Sequence, residues 1–138
     1  VFYEDLFGLK VFQDYGINIS CRGGLSLQKE FDWLLNIPKK KIITAPHNME
    51  LYFGEEDFDS FIKKLNQRSD IEYFGDGVKE AEWGKRSVRF YDLDGHIIEV
   101  GENMKIVVKR FLDAGMTMEE TSKRMDVSVS DLDKLLNS

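Results

Sequence analysis

The chain has 138 residues, of which 42% are hydrophobic and 32% are charged, and its formal net charge is −6. This balance predicts one compact domain, or one domain with a short appendage, and the charge argues against nucleic acid or an anionic membrane as the main partner. No apolar run reaches the roughly 20 residues of a membrane helix. A single cysteine, Cys21, excludes an internal disulfide, so a reducing cytoplasm is the simplest location.

The first half of the chain predicts a helix followed by strands. FYEDLFGL has the apolar spacing of the last turns of an amphipathic helix, and Gly8 is a typical stop. KVFQDY and INISCRGGLSLQ then read as strands, with a turn at Gly23-Gly24. Because a domain rarely begins inside a helix, we expect a further strand upstream of this sequence. Module one is assigned to residues 1–36, and a lysine-rich linker to residues 37–47.

The second half, residues 48–102, predicts the same order of elements. In NMELYFGEEDFDSFIKKLNQR the apolar residues first alternate, as in a strand, and then recur every three or four positions, as in a helix. IEYFGDGVKEAEWG reads as a strand and an exposed loop, and SVRFYD and HIIEV form a hairpin around an Asp-Gly turn. Two helix-and-strand units of this kind predict an α+β fold of paired βαβββ modules.

The tail, residues 103–138, predicts three short helices. The first ends at Gly115, the second opens with a capping box of Thr117 and Glu120, and Ser128 caps the third. The spacing suggests helix-turn-helix, but the last helix carries Asp131 and Asp133 against one lysine, which is the wrong balance for phosphate contact. We therefore interpret the tail as a packing or dimerisation appendage.

Alternation of side chains predicts a second, polar surface on the sheet. A hairpin in which Tyr91 faces His96 pairs Val88 with Glu99 and places Arg89 on the helix-covered side. Glu50 and Tyr52 lie opposite the apolar face of their strand, as do Ser26 and Gln28 of theirs. A curved sheet would turn this surface into a cleft, and its predicted lining comprises Ser26, Gln28, Glu50, Tyr52, Phe90 and Glu99.

FYEDLFGLKV, ELYFGEEDFDSF and FYDLDGHIIEVGE resemble motifs of the vicinal-oxygen-chelate superfamily, the group of glyoxalases, bleomycin resistance proteins and extradiol dioxygenases. The resemblance covers residues 1–102 and implies a sheet curled around a pocket. It also implies metal ligands on four strands, of which this sequence offers Gln28, Glu50 and Glu99. The fourth position belongs to the expected upstream strand.

The resemblance leaves the function open between two readings. In one, a divalent ion (Mg²⁺ or Mn²⁺ for an all-oxygen set, Ni²⁺ or Zn²⁺ by analogy) polarises vicinal substrate oxygens, and Glu50 or Glu99 moves the proton in a lyase or isomerase reaction. In the other, which is the alternative function, the pocket holds no metal and sequesters a small molecule as resistance proteins do. The sequence leaves a bound metal and no metal equally open. Tyr52 and Phe90 would stack on the ligand in either case, and Trp83 would cover it from a loop. The resemblance also implies a homodimer.

Overall fold

A computed structural model describes residues 2–138, so Val1, the first residue of the predicted module one, lies outside the described residues. The helices and strands follow the predicted order. The α-helices are α1 (Phe2–Phe7), α2 (Phe31–Leu35), α3 (Phe58–Asn66), α4 (Met104–Asp113), α5 (Met118–Met125) and α6 (Val129–Asn137), with a short 3₁₀ turn at Lys39–Lys41. The strands are β1 (Val11–Asp14), β2 (Asn18–Cys21), β3 (Ser26–Gln28), β4 (Glu50–Glu55), β5 (Lys79–Glu80), β6 (Arg86–Tyr91) and β7 (Ile97–Glu102).

The strands form two sheets, one from each half of the chain. The first has the order β1-β2-β3 and is antiparallel throughout. The second has the order β4-β7-β6-β5, in which β4 runs parallel to β7 while the other pairs are antiparallel. The mixed α+β architecture predicted from the sequence is therefore confirmed.

The main core lies between one face of the second sheet and helices α1 and α3. Helix α3 begins at the residue after Asp57, whose carboxylate accepts a hydrogen bond from the Ser60 amide at 3.1 Å, and it buries one apolar stripe. Helix α1 ends at Gly8, which has a φ of +64°. The buried members of this core are Phe2, Tyr3, Leu6, Phe58, Phe61, Leu65, Val88, Phe90, Ile98 and Val100.

The three tail helices enclose a second, smaller core. The predicted caps are confirmed: Thr117 and Glu120 form a capping box, and the Ser128 hydroxyl accepts a hydrogen bond from the Asp131 amide at 3.1 Å. The buried side chains of this core are Val107, Val108, Phe111, Met125 and Leu132. None of the helices in residues 2–138 combines the length and apolar character that crossing a membrane requires.

The predicted strand in IEYFGDGV is much reduced. Within the described residues its segment makes one isolated bridge, between Tyr73 and Phe90, and the regular pairing begins later, at β5. The glycines Gly75 and Gly77, which have φ values of +86° and +88°, turn the chain between these points.

The predicted hairpin register is wrong by one residue. The structure pairs Tyr91 with Ile97 and Arg89 with Glu99, whereas the predicted register places Tyr91 opposite His96. The reason is the turn: Gly95 has a φ of +83°, and the Asp92 carboxylate accepts hydrogen bonds from the amides of Asp94 and His96. A left-handed glycine after such a turn adds one unpaired residue to the loop.

Candidate functional site

The face of the second sheet that points away from the core carries polar side chains in neighbouring positions. Because paired residues of adjacent strands share a face, the register defines three rows across β4, β7 and β6. The first row holds Glu50, Ile97 and Tyr91, the second holds Tyr52, Glu99 and Arg89, and the third holds Gly54, Gly101 and Ser87. We call this surface the open face.

An arginine joins the two carboxylates of the open face. Arg89 Nε donates to Glu50 Oε2 at 2.9 Å, and Arg89 Nη2 donates to Glu99 Oε2 at 2.7 Å. The Glu99 side chain is 13% exposed, whereas those of Arg89 and Glu50 are each 37% exposed. The cluster is thus sheltered at Glu99 and reachable from solvent at the other two residues.

The two carboxylates are electrostatically different. The hydrogen bond from Arg89 lowers the pKa of Glu50, and the bond to Glu99 lowers it further. Burial raises the pKa of Glu99, and the neighbouring Glu50 carboxylate raises it as well. The pKa values of two neighbouring carboxyl groups move apart in this way because the first proton to bind is shared between them. Glu99 is therefore the group that takes up a proton first as the pH falls.

A lysine lies on the other side of Tyr52. Lys85 Nζ donates to the Tyr52 hydroxyl at 2.9 Å and lies 4.5 Å from the centre of its ring. Its stem crosses Gly101, where an added Cβ would lie 2.7 Å from Lys85 Cε. The charge of Lys85 also favours the ionised form of Glu99. A side chain at residue 101 would therefore have to displace the end of the Lys85 side chain.

The end of the open face nearest the hairpin turn is aromatic. His47 Nε2 and the Tyr91 hydroxyl are 2.8 Å apart, and Phe74 packs edge-on against both rings. His47 precedes β4 by three residues, so its place beside the open face follows from a loop conformation that strand periodicity does not predict.

The predicted residues of the first sheet take other partners. Gln28 accepts a hydrogen bond from Asn18 and donates to the Lys29 carbonyl, and the Ser26 hydroxyl lies 3.1 Å from that of Ser20. Trp83 lies in the loop between β5 and β6 and is half exposed. Of the three predicted metal ligands, the recorded contacts bring together Glu50 and Glu99, whereas those of Gln28 lie within the first sheet and its edge.

Phe90 does not line the open face, which corrects the prediction. Its side chain is fully buried on the core side, where its ring packs against Phe2 and Phe61. The shift in hairpin register exchanges it with Arg89, since a slip of one residue moves each side chain of a strand to the opposite face. The same shift overturns the predicted position of Arg89 on the helix-covered side.

Asp92, Asp94 and His96 also lie together, in the turn after β6. The Asp92 carboxylate, however, already accepts the Tyr3 hydroxyl at 2.6 Å, and its Oδ1 accepts two backbone amides. Burial alone would raise the pKa of Asp92, but these hydrogen bonds, of which that from Tyr3 has the largest effect, lower it below its usual value. We interpret this group as a structural element that stabilises the turn.

The open face as arranged does not fit a divalent metal. An ion held by Glu50 and Glu99 needs their free oxygen lone pairs and further oxygen ligands, whereas the Arg89 guanidinium already lies between the two carboxylates. Gln28, the amide that the sequence offered as a third ligand, is engaged in the first sheet. Arg89 supplies the positive charge that a metal ion would otherwise bring.

Comparison with known proteins identifies relatives of this architecture. Residues 1–105 match the family model described as a glyoxalase-like domain. A crystal structure of a protein of unknown function from Agrobacterium tumefaciens is 33% identical, with a TM-score of 0.60 over 74% of this chain and 80% of the other. No curated protein matches the sequence.

Two further structures share the fold at lower identity. Lactoylglutathione lyase from Agrobacterium tumefaciens is 22% identical, with a TM-score of 0.54 over 74% of this chain and 81% of the other. The fosfomycin resistance protein FosX from Listeria monocytogenes is 14% identical, with a TM-score of 0.54 over 87% and 83% of the two chains. At these identities the likeness concerns the fold.

Proposed function

The chain belongs to the glyoxalase-like family, and on that premise we propose that it is a small-molecule pocket protein that works without a resident metal. The working residues of this proposal are Glu50, Arg89 and Glu99. The observation that carries it is the bridging of both carboxylates by one guanidinium on the solvent-facing side of the sheet.

The cluster has a definite binding chemistry. Its arginine and two glutamates offer a planar donor group beside acceptor oxygens. Lys85, bonded to Tyr52 in the same row as Glu99, adds a second cationic position. A ligand that carries both donor and acceptor groups meets complementary partners here, while Tyr52 offers a half-exposed ring for stacking. We expect small polar molecules with an aromatic or planar part.

Glu99 gives this surface an acid–base function as well. Its raised pKa brings its proton exchange closer to neutral pH than that of an ordinary glutamate, and Arg89 stabilises the carboxylate left after the proton departs. An isomerase or lyase step that moves a proton on a bound molecule would use Glu99 for this transfer.

The second candidate function is a metal-dependent lyase or isomerase. It is favoured by the placement of Glu50 and Glu99 on neighbouring strands, where both carboxylates accept hydrogen bonds from Arg89. Glu50 and Glu99 would hold the ion, which would supply Lewis-acid polarisation of substrate oxygens. For this function Arg89 must leave the carboxylates.

One pair of variants separates the two candidates. Metal-free protein is titrated with Mg²⁺, Mn²⁺, Ni²⁺ and Zn²⁺ by calorimetry, alongside Arg89→Gln and the matched control Arg22→Gln, which removes an arginine over Phe12 in the first half. We expect Arg89→Gln to bind at least tenfold more tightly than the wild type, because it frees both carboxylates. Submillimolar binding to the wild type that Glu50→Gln and Glu99→Gln both abolish would establish the metal-dependent candidate instead.

Ligand binding is tested by a library of small polar aromatic compounds, monitored through amide spectra of the labelled protein. We expect shifts at Tyr52, Arg89 and Glu99, and their loss in Glu99→Gln. Shifts confined to the cavity of about 380 Å³ between α3 and the loop 73–78 would place the binding site elsewhere and overturn the proposal.

We further propose that the protein forms a homodimer in the cytoplasm. The first half exposes several large apolar side chains, of which Trp33 is 69% exposed, and such a concentration is typical of an interface. Light scattering at several concentrations measures the mass. The single thiol, Cys21, is buried, in keeping with a location where disulfides are not used.

A further inference from the structure

The loop between β5 and β6 contacts the tail helices on one side and the open face on the other. It makes a tight turn in which the Gly84 amide donates to the Ala81 carbonyl at 2.8 Å and the Ala81 amide donates to the Lys85 carbonyl at 2.9 Å. Gly84 and Lys85 are consecutive, so contacts that fix Gly84 also restrict the backbone of Lys85.

Helix α4 holds Gly84. Arg110 Nη2 donates to the Gly84 carbonyl and, at 3.2 Å, to Glu102 Oε2. The Phe111 ring fills the space beside Gly84, since a Cβ there would lie 2.1 Å from Phe111 Cζ. Gly84 also has a φ of +88°, which a glycine adopts without strain. The loop is therefore fixed by one hydrogen bond and one ring contact from the tail.

On the other side, Lys85 reaches the open face. Its stem passes over Gly101, and its ammonium group donates to the Tyr52 hydroxyl, which stands in the same row as Glu99. Lys85 is only partly exposed, so its position is defined by packing as well as by this hydrogen bond. Misplacing such a group by about 1 Å is enough to weaken its action on a bound molecule substantially.

We propose that the tail positions a specificity-determining residue of the open face: Arg110 and Phe111 fix Gly84, and thereby hold the Lys85 ammonium against Tyr52. Lys85 would select ligands that bring an anionic or carbonyl oxygen next to Tyr52. This inference rests on the proposed function for the choice of ligand, but the positioning of Lys85 by the tail is measurable without any ligand.

The first experiment measures the reactivity of the Lys85 amine. Full-length protein is treated briefly with an acetylating reagent, and the labelling rate of each lysine is determined by mass spectrometry. We expect Arg110→Gln to increase the rate at Lys85 several-fold and to leave Lys134 unchanged. Lys105→Gln is the matched control, because it removes one positive charge from the same helix at a residue whose ammonium contacts Ser138 instead.

The second experiment excludes a general loosening of the protein. Side-chain carboxyl NMR follows the titration of Glu99, whose pKa the Lys85 charge lowers. Arg110→Gln should raise the Glu99 midpoint in the wild-type background and leave it unchanged when Lys85→Gln is already present. An equal shift in both backgrounds would show that Arg110 acts on Glu99 without Lys85, which overturns the proposal.

An unchanged Lys85 labelling rate in folded Arg110→Gln also overturns it. If that variant does not fold, Arg110→Lys, which keeps the charge beside Glu102 but lacks the planar fork, provides the comparison. If the Lys85 labelling rate depends on Arg110 but no library compound binds the open face, the positioning of Lys85 is retained and the proposed function is rejected. If compounds bind the open face but the Lys85 labelling rate does not depend on Arg110, the proposed function is retained and the positioning is rejected.

Discussion

Strands β6 and β7 carry an arginine–glutamate cluster on each of their two faces, and the two clusters differ in composition and burial. On the open face, Arg89 bridges two glutamates, and Glu99 retains 13% of its exposure. On the core side, Glu102 is fully buried between Arg86 and Arg110, and Arg86 also contacts Asp59. We call the second group the sealed cluster.

The contrast in burial separates the cluster that stabilises the fold from the one that is available for chemistry. In the sealed cluster the carboxylate accepts hydrogen bonds from two guanidinium groups and from the Arg86 amide, so its bonding capacity is used internally. In the cluster on the open face, which we call the open cluster, two carboxylates share one guanidinium, and this leaves carboxylate oxygen atoms facing solvent. A buried, saturated charge group is structural, whereas a half-exposed, unbalanced one can exchange partners.

The largest effect is expected when the sealed cluster loses its carboxylate. Glu102→Gln leaves Arg86 and Arg110 without their buried counter-ion and should lower the free energy of unfolding by about 3 kcal/mol. Glu99→Gln, on the same strand, should change it by less than about 1 kcal/mol, because Arg89 keeps Glu50 as its counter-ion. Urea unfolding measures both. Equal losses would mean that the open cluster is structural too.

The next effect concerns Gly84, whose carbonyl accepts a hydrogen bond from Arg110 of the sealed cluster. Gly84→Ala should destabilise the protein by about 2 to 3 kcal/mol, since it combines a strained φ with overlap against Phe111. Gly115→Ala is the matched control: its φ of +94° is equally unfavourable, but no atom lies within 4 Å of the added Cβ. Thermal unfolding of the two variants isolates the contribution of the ring contact. A loss of stability no larger than that of the control would show that the Phe111 ring moves aside and that its contact with Gly84 adds nothing.

Acid should weaken the sealed cluster, whereas in the open cluster protonation of Glu99 should stabilise the folded state. Burial alone would raise the pKa of Glu102, but the hydrogen bonds from Arg86 outweigh it and lower the pKa below its usual range. Its stabilising contribution is therefore complete above the unfolded pKa of about 4.3 and is lost as the pH falls through the lower folded pKa. The raised pKa of Glu99 has the opposite sign, because protonation then favours the folded state.

Urea unfolding between pH 6 and pH 3 tests this difference. Relative to the wild type, Glu102→Gln should lose less stability on acidification, whereas Glu99→Gln should lose more. Parallel profiles for all three proteins would contradict the assignment.

The smallest effect is expected in the titration of Glu99. In Glu50→Gln the pKa of Glu99 should fall towards its ordinary value, because the neighbouring carboxylate that raises it is gone. Carboxyl NMR measures the midpoint. A higher Glu99 midpoint in this variant would indicate that the two carboxyl groups do not share a proton.

The order of elements and the placement of the two glutamates could be predicted from the sequence. The change of period within ELYFGEEDFDSF predicts β4 and α3, and alternation alone places Glu50 and Tyr52 away from the core. The caps of α5 and α6 follow from local residue types in the same way. Features of this kind depend on neighbours a few positions apart, which the sequence displays directly.

The partner of the glutamates could not be predicted, because it depends on one residue in a turn. Had the left-handed conformation of Gly95 been included as a bulge, the hairpin would have paired Arg89 with Glu99 and placed Phe90 in the core. The contact between Arg110 and Gly84 joins residues of separate elements, and no periodic pattern records it. The identity of the cation was therefore missed while the carboxylates were found.

The parallel pairing of β4 with β7 has a consequence for the way the chain folds. Glu50 pairs with Ile97, so α3, β5 and β6 must all be accommodated between the two strands before their ladder can form. Contacts of such long sequence separation form late and slow the folding of a domain. During synthesis the two glutamates of the open face accordingly come together only after residue 102 has left the ribosome. Until then β4 has no strand partner, because its neighbour in the sheet is β7.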